Sequence, residues 1–292
     1  MVTVVIPACN EEAAIRQTID EVRGVLSAHG IPHEVIVVDD GSSDQTGAIA
    51  RAAGVTVITH PACGGYGRSL KDGIAAARYD LIAITDADGT YPNARLADLV
   101  SAVADGKFDM AVGARTGVHY RGTLFKAPAR RAFLWLSEYA TGTTIDDINS
   151  GLRVFRRSFA LDYMHSISNG FSFTTTITLA AMLNGHFVKY IPIEYYARVG
   201  RTTHVRYWRD TLRSLQIIVE SILYYNPLKL FLLLVNFLLA IGGLSLGVLV
   251  WSGSRRLELL SAILAASALV GAVVVAGIGL LANLVKLTRS RR

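Results

Sequence analysis

The sequence predicts an α/β fold in which a mostly parallel sheet carries helices on both faces, followed by amphipathic interface helices and a two-helix transmembrane hairpin. Three observations predict it. Residues 1–114 alternate short β-branched apolar runs with helical stretches. The apolar excess of a chain that is 51% hydrophobic and only 18% charged is concentrated after Asn226-Pro227. The charge is also partitioned. Residues 1–114 hold 8 Lys+Arg against 15 Asp+Glu, residues 115–226 hold 14 against 7, and residues 227–292 hold 7 against 1. An acidic first part, a basic middle and a basic, apolar tail do not describe a nucleic-acid binder, whose positive charge would be spread over the whole domain.

Taken in order, 2–6, 35–38, 55–58, 81–85 and 110–112 read as strands, and 11–28, 44–53, 67–77 and 93–104 as helices. The 292 residues suffice for one large domain or two small ones, with ample apolar material for a core. Cys9 and Cys63 are too few for a disulfide framework or a four-ligand zinc site, which fits a reducing compartment. The N-terminus has no basic region and its apolar run stops at Pro7, unlike a secretory signal.

Residues 230–251 and 259–282 contain no ionisable side chain. At about 1.5 Å per residue each can cross a hydrocarbon core of about 30 Å. The short turn between them makes a hairpin whose two ends lie on one side. Arg206, Arg209, Arg213 and Lys229 precede it, and Lys286, Arg289, Arg291 and Arg292 follow, against Arg255 and Arg256 in the turn. This distribution places the main domain and the C-terminus on the cytoplasmic side of the membrane. Just before the hairpin, Trp208, Leu212, Leu215, Val219 and Ile222 recur at helical spacing with the arginines on another face, as in a helix lying in the interface plane. A second interfacial helix is expected over 128–139, with Arg130, Arg131 and Trp135 on it.

In an open parallel sheet, ligands bind outside the carboxyl ends of the strands. Strand one ends in Pro7-Ala-Cys-Asn-Glu11, strand two in Asp39-Asp40-Gly-Ser-Ser-Asp44, and strand four in Asp86-Ala-Asp88. Carboxylates gathered at one edge repel unless a cation joins them, and Asp86 and Asp88 can share a hard divalent ion that also holds phosphate oxygens. His60 and Cys63 lack ligand-spaced partners and read as bystanders. For Ser43 and Asp44 a helix N-cap is compatible with a ligand role.

At these residues the chain resembles the inverting glycosyltransferase family 2, whose catalytic domain has the GT-A fold, a Rossmann-like mostly parallel sheet. The resemblance rests on Val-Val-Ile-Pro-Ala-Cys-Asn-Glu-Glu (4–12), Val-Val-Asp-Asp-Gly-Ser-Ser-Asp (37–44) and Asp-Ala-Asp-Gly-Thr-Tyr-Pro (86–92). It is similar in particular to the polyprenyl-phosphate sugar synthases (the dolichyl-phosphate mannose synthase-like group) through Val-Gly-Ala-Arg115, Asn-Ser-Gly-Leu-Arg153-Val-Phe-Arg, Phe171-Ser-Phe-Thr-Thr-Thr and Arg198-Val-Gly-Arg-Thr. The resemblance implies that Pro7, Cys9, Glu11, Val37 and Asp39 surround the nucleotide, and that Asp86, Ala87 and Asp88 meet the diphosphate. It implies Mg2+ or Mn2+ at Asp86, Asp88 and Thr90, and phosphates at Arg115 and Arg198. Cys9 stands where the family usually has an aromatic residue, Thr90 where mannose synthases often have Gln, and His204 where Lys is frequent.

The partners so implied are a nucleotide-sugar donor, GDP-mannose or a UDP-hexose, a polyprenyl or dolichyl monophosphate acceptor, and the lipid bilayer, with no nucleic acid. The transmembrane helices also allow a homo-oligomer. In this reading 1–205 is a cytoplasmic catalytic domain, 206–226 an amphipathic juxtamembrane helix, and 227–292 a hairpin with spans at about 228–251 and 259–285, in the inner membrane. The departing diphosphate calls for the cation with Arg198 or Arg201 nearby. The acceptor phosphate calls for guanidinium groups, and Arg115, Arg130, Arg131 and Arg153 are the candidates. Two alternatives stand beside it. A processive polysaccharide synthase would need more spans and a Gln-x-x-Arg-Trp-type motif, of which only Tyr207-Trp-Arg appears. A non-catalytic membrane adaptor would have no reason to keep Asp39, Asp86 and Asp88.

Overall fold

The computed structural model describes residues 1–117, 127–165, 167–170, 172–199, 215–216, 219–220, 222–251 and 254–289. The chain forms two compact units, Met1–Ile217 and Ile218–Arg292. In the first, strands β1 (Val2–Ala8), β2 (His33–Asp39), β3 (Thr56–Thr59), β4 (Leu81–Ile84), β5 (Met110–Thr116), β6 (Arg153–Arg156) and β7 (Val188–Glu194) form one sheet in the order β3-β2-β1-β4-β6-β5-β7. All neighbours are parallel except β6, which runs antiparallel to both β4 and β5. The mostly parallel GT-A-type sheet expected from sequence is present. Strands β6 and β7 lie beyond residue 114, where the apolar periodicity gave no assignment.

Two cores sandwich the sheet, because successive strand side chains point to opposite faces. Val2, Val4, Ile6 and Ala8 of β1 face helix α1 (Ile15–Ala28), helix α2 (Thr46–Ala52) and helix α4 (Leu96–Ala104). Val5 faces helix α3 (Tyr66–Ala76), helix α6 (Arg157–Asp162) and helix α7 (Phe173–Leu183). Helix α1 forms because Ile15, Ile19, Val22 and Leu26 recur along one stripe, all fully buried. Each such side chain contributes roughly 1.5–3 kcal/mol of burial. The helix starts four residues later than expected, since Glu11 to Ala14 form a turn closed by Ala14 N–H and Ile15 N–H donating to Glu11 O.

Helix α5 (Ala127–Thr141) covers the expected 128–139 stretch. Leu136, Ser137 and Ala140 are buried, while Arg131 and Trp135 are exposed and Trp135 stacks on Tyr139 at 5.7 Å. Most of the expected juxtamembrane helix, including Arg206, Arg209 and Arg213, lies outside the described residues.

In the second unit, helix α8 (Pro227–Trp251) and helix α9 (Arg255–Arg289) pack on each other, with Phe231 against Gly279. Both are long and apolar enough to cross a membrane, and only 11% and 22% of their apolar windows are buried. A core helix of a soluble domain would be buried along a continuous stripe. Here Leu244, Val250 and Trp251 of α8 and Leu259, Leu260 and Ile263 of α9 are all exposed.

Candidate active site

The carboxyl ends of β1, β2 and β4 converge, as a parallel sheet requires, and two adjoining cavities open there. One, of about 470 Å³, is lined by Pro7, Cys9, Glu11, Asp40 and Cys63 among others. The other, of about 400 Å³, is lined by Thr90, Tyr91, Arg115, Asn149, Thr174 and Tyr195 among others. Tyr66, Asp86, Asp88 and Arg198 line both.

The two carboxylates at this junction are held differently. Asp88 accepts from the Thr90 hydroxyl at 2.6 Å and the Thr90 N–H at 3.1 Å. Asp86 accepts from the Tyr66 hydroxyl at 2.8 Å. Antiparallel β6 inserts beside β4 and brings Gly151 over it, and a Cβ at Gly151 would lie 2.8 Å from both Asp86 oxygens. Gly151 N–H in turn donates to the Tyr91 hydroxyl at 2.7 Å. Burial, then repulsion from Asp88, push the Asp86 carboxyl up to about 7.

A buried acid held this far above its ordinary value is short of positive charge. Two hard carboxylates with open cavity on either side suit Mg2+ or Mn2+, which bind through one or two carboxylates and complete their shell with water and phosphate oxygens. Among the described residues no third His, Cys, Asp or Glu joins them to close an all-protein cage. The residues present fit the ion. Thr90, the third expected ligand, lines the 400 Å³ cavity, and its hydroxyl donates to Asp88.

Arg198 ion-pairs with Glu11 and lies 3.7 Å from Asp88. Its backbone is fixed by Val199 N–H donating to Asp88 O at 3.1 Å and Tyr196 N–H donating to Thr90 O at 2.9 Å. Burial raises the Glu11 carboxyl above its ordinary value, with the Arg198 charge opposing. On the other side, Arg115 sits at the end of β5 and donates through Nε and Nη2 to Asp147 at 2.7 and 3.0 Å. Its guanidinium lies 5.3 Å from the Tyr195 ring centre.

On the 470 Å³ side, Asn10 adopts φ 58°, a conformation asparagine tolerates better than most residues. Its side chain accepts from Ser43 N–H at 2.8 Å, joining the β1 and β2 loops. Gly41, at φ +67°, lets that loop lie on the 62–63 backbone, where a Cβ would come within 2.6 Å of Ala62. Burial pushes the Cys9 thiol up to about 11, so the wall it forms is neutral.

Several expected site residues lie elsewhere. Val37 is fully buried within β2 and packs in the core. Asp39 shares its face, accepts from Ser42 N–H at 3.1 Å, and lines neither cavity. The residue that reaches the cavity is Asp40, which accepts from Gly64 and Gly65 N–H at 2.8 Å each and from His60 at 2.7 Å. Cys63 is thus part of the wall, and His60, which lines neither cavity, braces Asp40 from behind it.

Arg153 is neither a phosphate cradle nor a surface ion pair. It is fully buried, and its guanidinium donates to Ser150 O, Thr174 O and the Thr178 hydroxyl at 2.5, 3.1 and 2.9 Å. Arg131 is exposed on α5 and lines neither cavity. Arg201, with His204, and the side chain of Arg130 lie outside the described residues. Tyr66, Asp147, Asn149 and Tyr195 were not expected at the site. The available signal was adjacency, since Asn149 opens the Asn-Ser-Gly-Leu-Arg153 motif, Asp147 lies two residues before it, and Tyr66 follows Gly64-Gly65.

Residues 3–172 match the family described as glycosyl transferase family 2. The chain belongs to that family. Proteins similar to it include the polyprenol monophosphomannose synthase of Mycolicibacterium smegmatis, 31% identical over 212 residues, covering 67% of this chain and 77% of that protein. The low-salt glycan biosynthesis hexosyltransferase Agl6 of Haloferax volcanii is 32% identical over 258 residues, 86% of this chain. The match spans 60% of that relative's length. Among solved structures, glucosyl-3-phosphoglycerate synthase from Mycobacterium tuberculosis, in complex with Mn2+, uridine diphosphate and phosphoglyceric acid, superposes with a TM-score of 0.61 at 20% identity. That match covers 76% of this chain and 78% of that one, and it places this family 2 enzyme in the same fold.

Proposed function

We propose that this glycosyltransferase transfers a single sugar from a nucleotide-diphosphate sugar, GDP-mannose or a UDP-hexose, to a polyprenyl or dolichyl monophosphate, with inversion to a β-linked lipid-phosphate sugar. The observation that carries this reading is the carboxylate pair at the junction of two cavities, with Arg198 beside it and Arg115 across from it. The nucleoside lies in the cavity lined by Pro7, Cys9 and Glu11, and its diphosphate reaches Asp86 and Asp88. A divalent cation on these two carboxylates would supply charge that stabilises the departing diphosphate. Arg198 moves from Glu11 towards the same phosphates.

The sugar and the acceptor phosphate share the second cavity, where Asn149, Thr174 and Tyr195 offer polar contacts. The second pKa of a phosphate monoester is about 6, so the acceptor is largely dianionic at neutral pH. Its oxygen forms the new bond to the anomeric carbon as the bond to the donor's β-phosphate breaks. The negative charge it loses leaves with the nucleoside diphosphate, and no proton has to be removed. Arg115 orients this dianion, since a guanidinium matches phosphate oxygens in pairs.

Two apolar helices and the face of α5 that carries exposed Arg131 and Trp135, the latter stacked on half-buried Tyr139, suit an acceptor that never leaves the bilayer. Lys229 before the helices and Lys286, Arg289, Arg291 and Arg292 after them outnumber Arg255 and Arg256 between them, which favours a cytoplasmic catalytic unit on the inner membrane. The test is to incubate the full chain in detergent with polyprenyl phosphate, Mg2+ or Mn2+, and a panel of nucleotide sugars. A single lipid-linked hexose supports the reading. A polymer, or free sugar with no lipid product, refutes it.

A further inference from the structure

Asp86 reaches the cavity junction with one of its two oxygens already engaged. The Tyr66 hydroxyl donates to Oδ1 at 2.8 Å, and the Gly151 backbone packs against both oxygens, where a Cβ would come within 2.8 Å of each. Tyr66 is the first residue of α3, and its ring stands in the wall that the two cavities share. The backbone that delivers it is fixed in turn. Asp40 accepts from Gly64 and Gly65 N–H, the two residues before Tyr66, and Arg68 N–H donates to Asn169 O at 2.9 Å one turn later. Gly65 takes φ +100° to make the turn, a conformation that favours glycine.

This chain of contacts runs from the end of β2, through the 63–66 loop, to the end of β4. A carboxylate on a short side chain rotates freely unless both faces are met. Here the hydroxyl fixes which oxygen is taken and the glycine backbone fixes the plane.

We propose that Tyr66 is a positioning residue for the Asp86–Asp88 pair, setting its affinity for a divalent cation bound with a nucleoside diphosphate. The proposal rests on the reading of Asp86 and Asp88 as the cation site. Tyr66 touches the carboxylate and not the reacting atoms, so its loss acts on cation affinity rather than on the nucleoside.

Tyr66→Phe keeps the ring and removes only the hydroxyl. The measurement is Mn2+ binding to the full chain in detergent, followed by electron paramagnetic resonance with saturating UDP and, separately, GDP. Metal-free UDP and GDP affinity and thermal melting are recorded beside it. The expected result is Mn2+ affinity lowered roughly tenfold, as for one lost hydrogen bond to a charged acceptor, with metal-free nucleotide affinity unchanged and a cooperative melt retained. Equal Mn2+ affinity in the two proteins overturns the proposal. So does a parallel loss of metal-free nucleotide binding, which would make Tyr66 part of the nucleoside wall. A wild type that forms no lipid-linked sugar while Tyr66→Phe still loses Mn2+ would remove the proposed acceptor and leave the positioning role intact.

Discussion

Arg115 and Asp147 form a locked pair. The carboxylate accepts from Arg115 Nε at 2.7 Å, from Nη2 at 3.0 Å and from the Arg115 backbone N–H at 3.1 Å, and it is almost entirely buried. The guanidinium is therefore held in the lining of the 400 Å³ cavity instead of sampling rotamers. Bidentate charge-assisted contacts of this kind are the strong ones.

Asp147→Asn should thus lower kcat for transfer to polyprenyl phosphate while leaving donor affinity near the wild-type value. A charge-assisted hydrogen bond contributes about 1.5–3 kcal/mol, so the expected loss is roughly 10- to 150-fold. Steady-state kinetics with the acceptor in detergent, alongside calorimetric donor binding, checks the split. An unchanged kcat would show that Arg115 holds its aim without Asp147.

Asp88→Asn should abolish transfer with the fold intact, because the carboxamide keeps the bond from Thr90 but loses the charge. Excess EDTA on the wild type should do the same, and added Mn2+ should restore only the wild type. Full turnover in EDTA would remove the cation from the reaction.

The raised Asp86 carboxyl makes a stability prediction for the metal-free protein. Its ordinary value is about 3.9, and in the fold it stands at about 7. Between those values the unfolded chain has released the proton and the folded protein keeps it. Stability from this group therefore falls as pH rises from about 4 to about 7 and is level above. Glu11 is shifted the same way, so the comparison to make is wild type against Asp86→Asn. The melting temperature of the wild type should decline more steeply across that window, and Mg2+ with nucleoside diphosphate should offset the decline at the upper end. Parallel curves for the two proteins would contradict the assignment.

Every described residue that lines the two cavities belongs to the first unit. A chain ended at Ile217 should accordingly bind nucleoside diphosphate with Mn2+ as the full chain does. It should use polyprenyl phosphate poorly when that acceptor is embedded in vesicles, since it lacks α8 and α9. Equal rates on vesicles would show that these helices only tether the protein.

What the sequence determined by itself was the frame. A buried parallel strand has to be a nearly continuous apolar run, so β1, β2 and β4 were legible, and so was the polar stretch that follows each at the carboxyl edge. That reasoning placed Glu11, Asp86 and Asp88 at one site, and the charge-free stretches after Pro227 as two long apolar helices. It did not find β6, because a four-residue strand that begins and ends in arginine carries no strand signature.

Tertiary structure alone decided which polar residues serve the cavity. On β2 the strand alternation turns Asp39 towards Ser42, leaving Asp40 to shape the wall. Arg153, one more arginine in a basic stretch, becomes interior because carbonyl and hydroxyl partners reach it from Thr174 and Thr178, 21 and 25 residues away. Tyr66 meets Asp86 across 20 residues, and Arg115 meets Asp147 across 32. A residue type shows in the sequence, but the partners that fix its charge and direction are brought together only when the sheet closes.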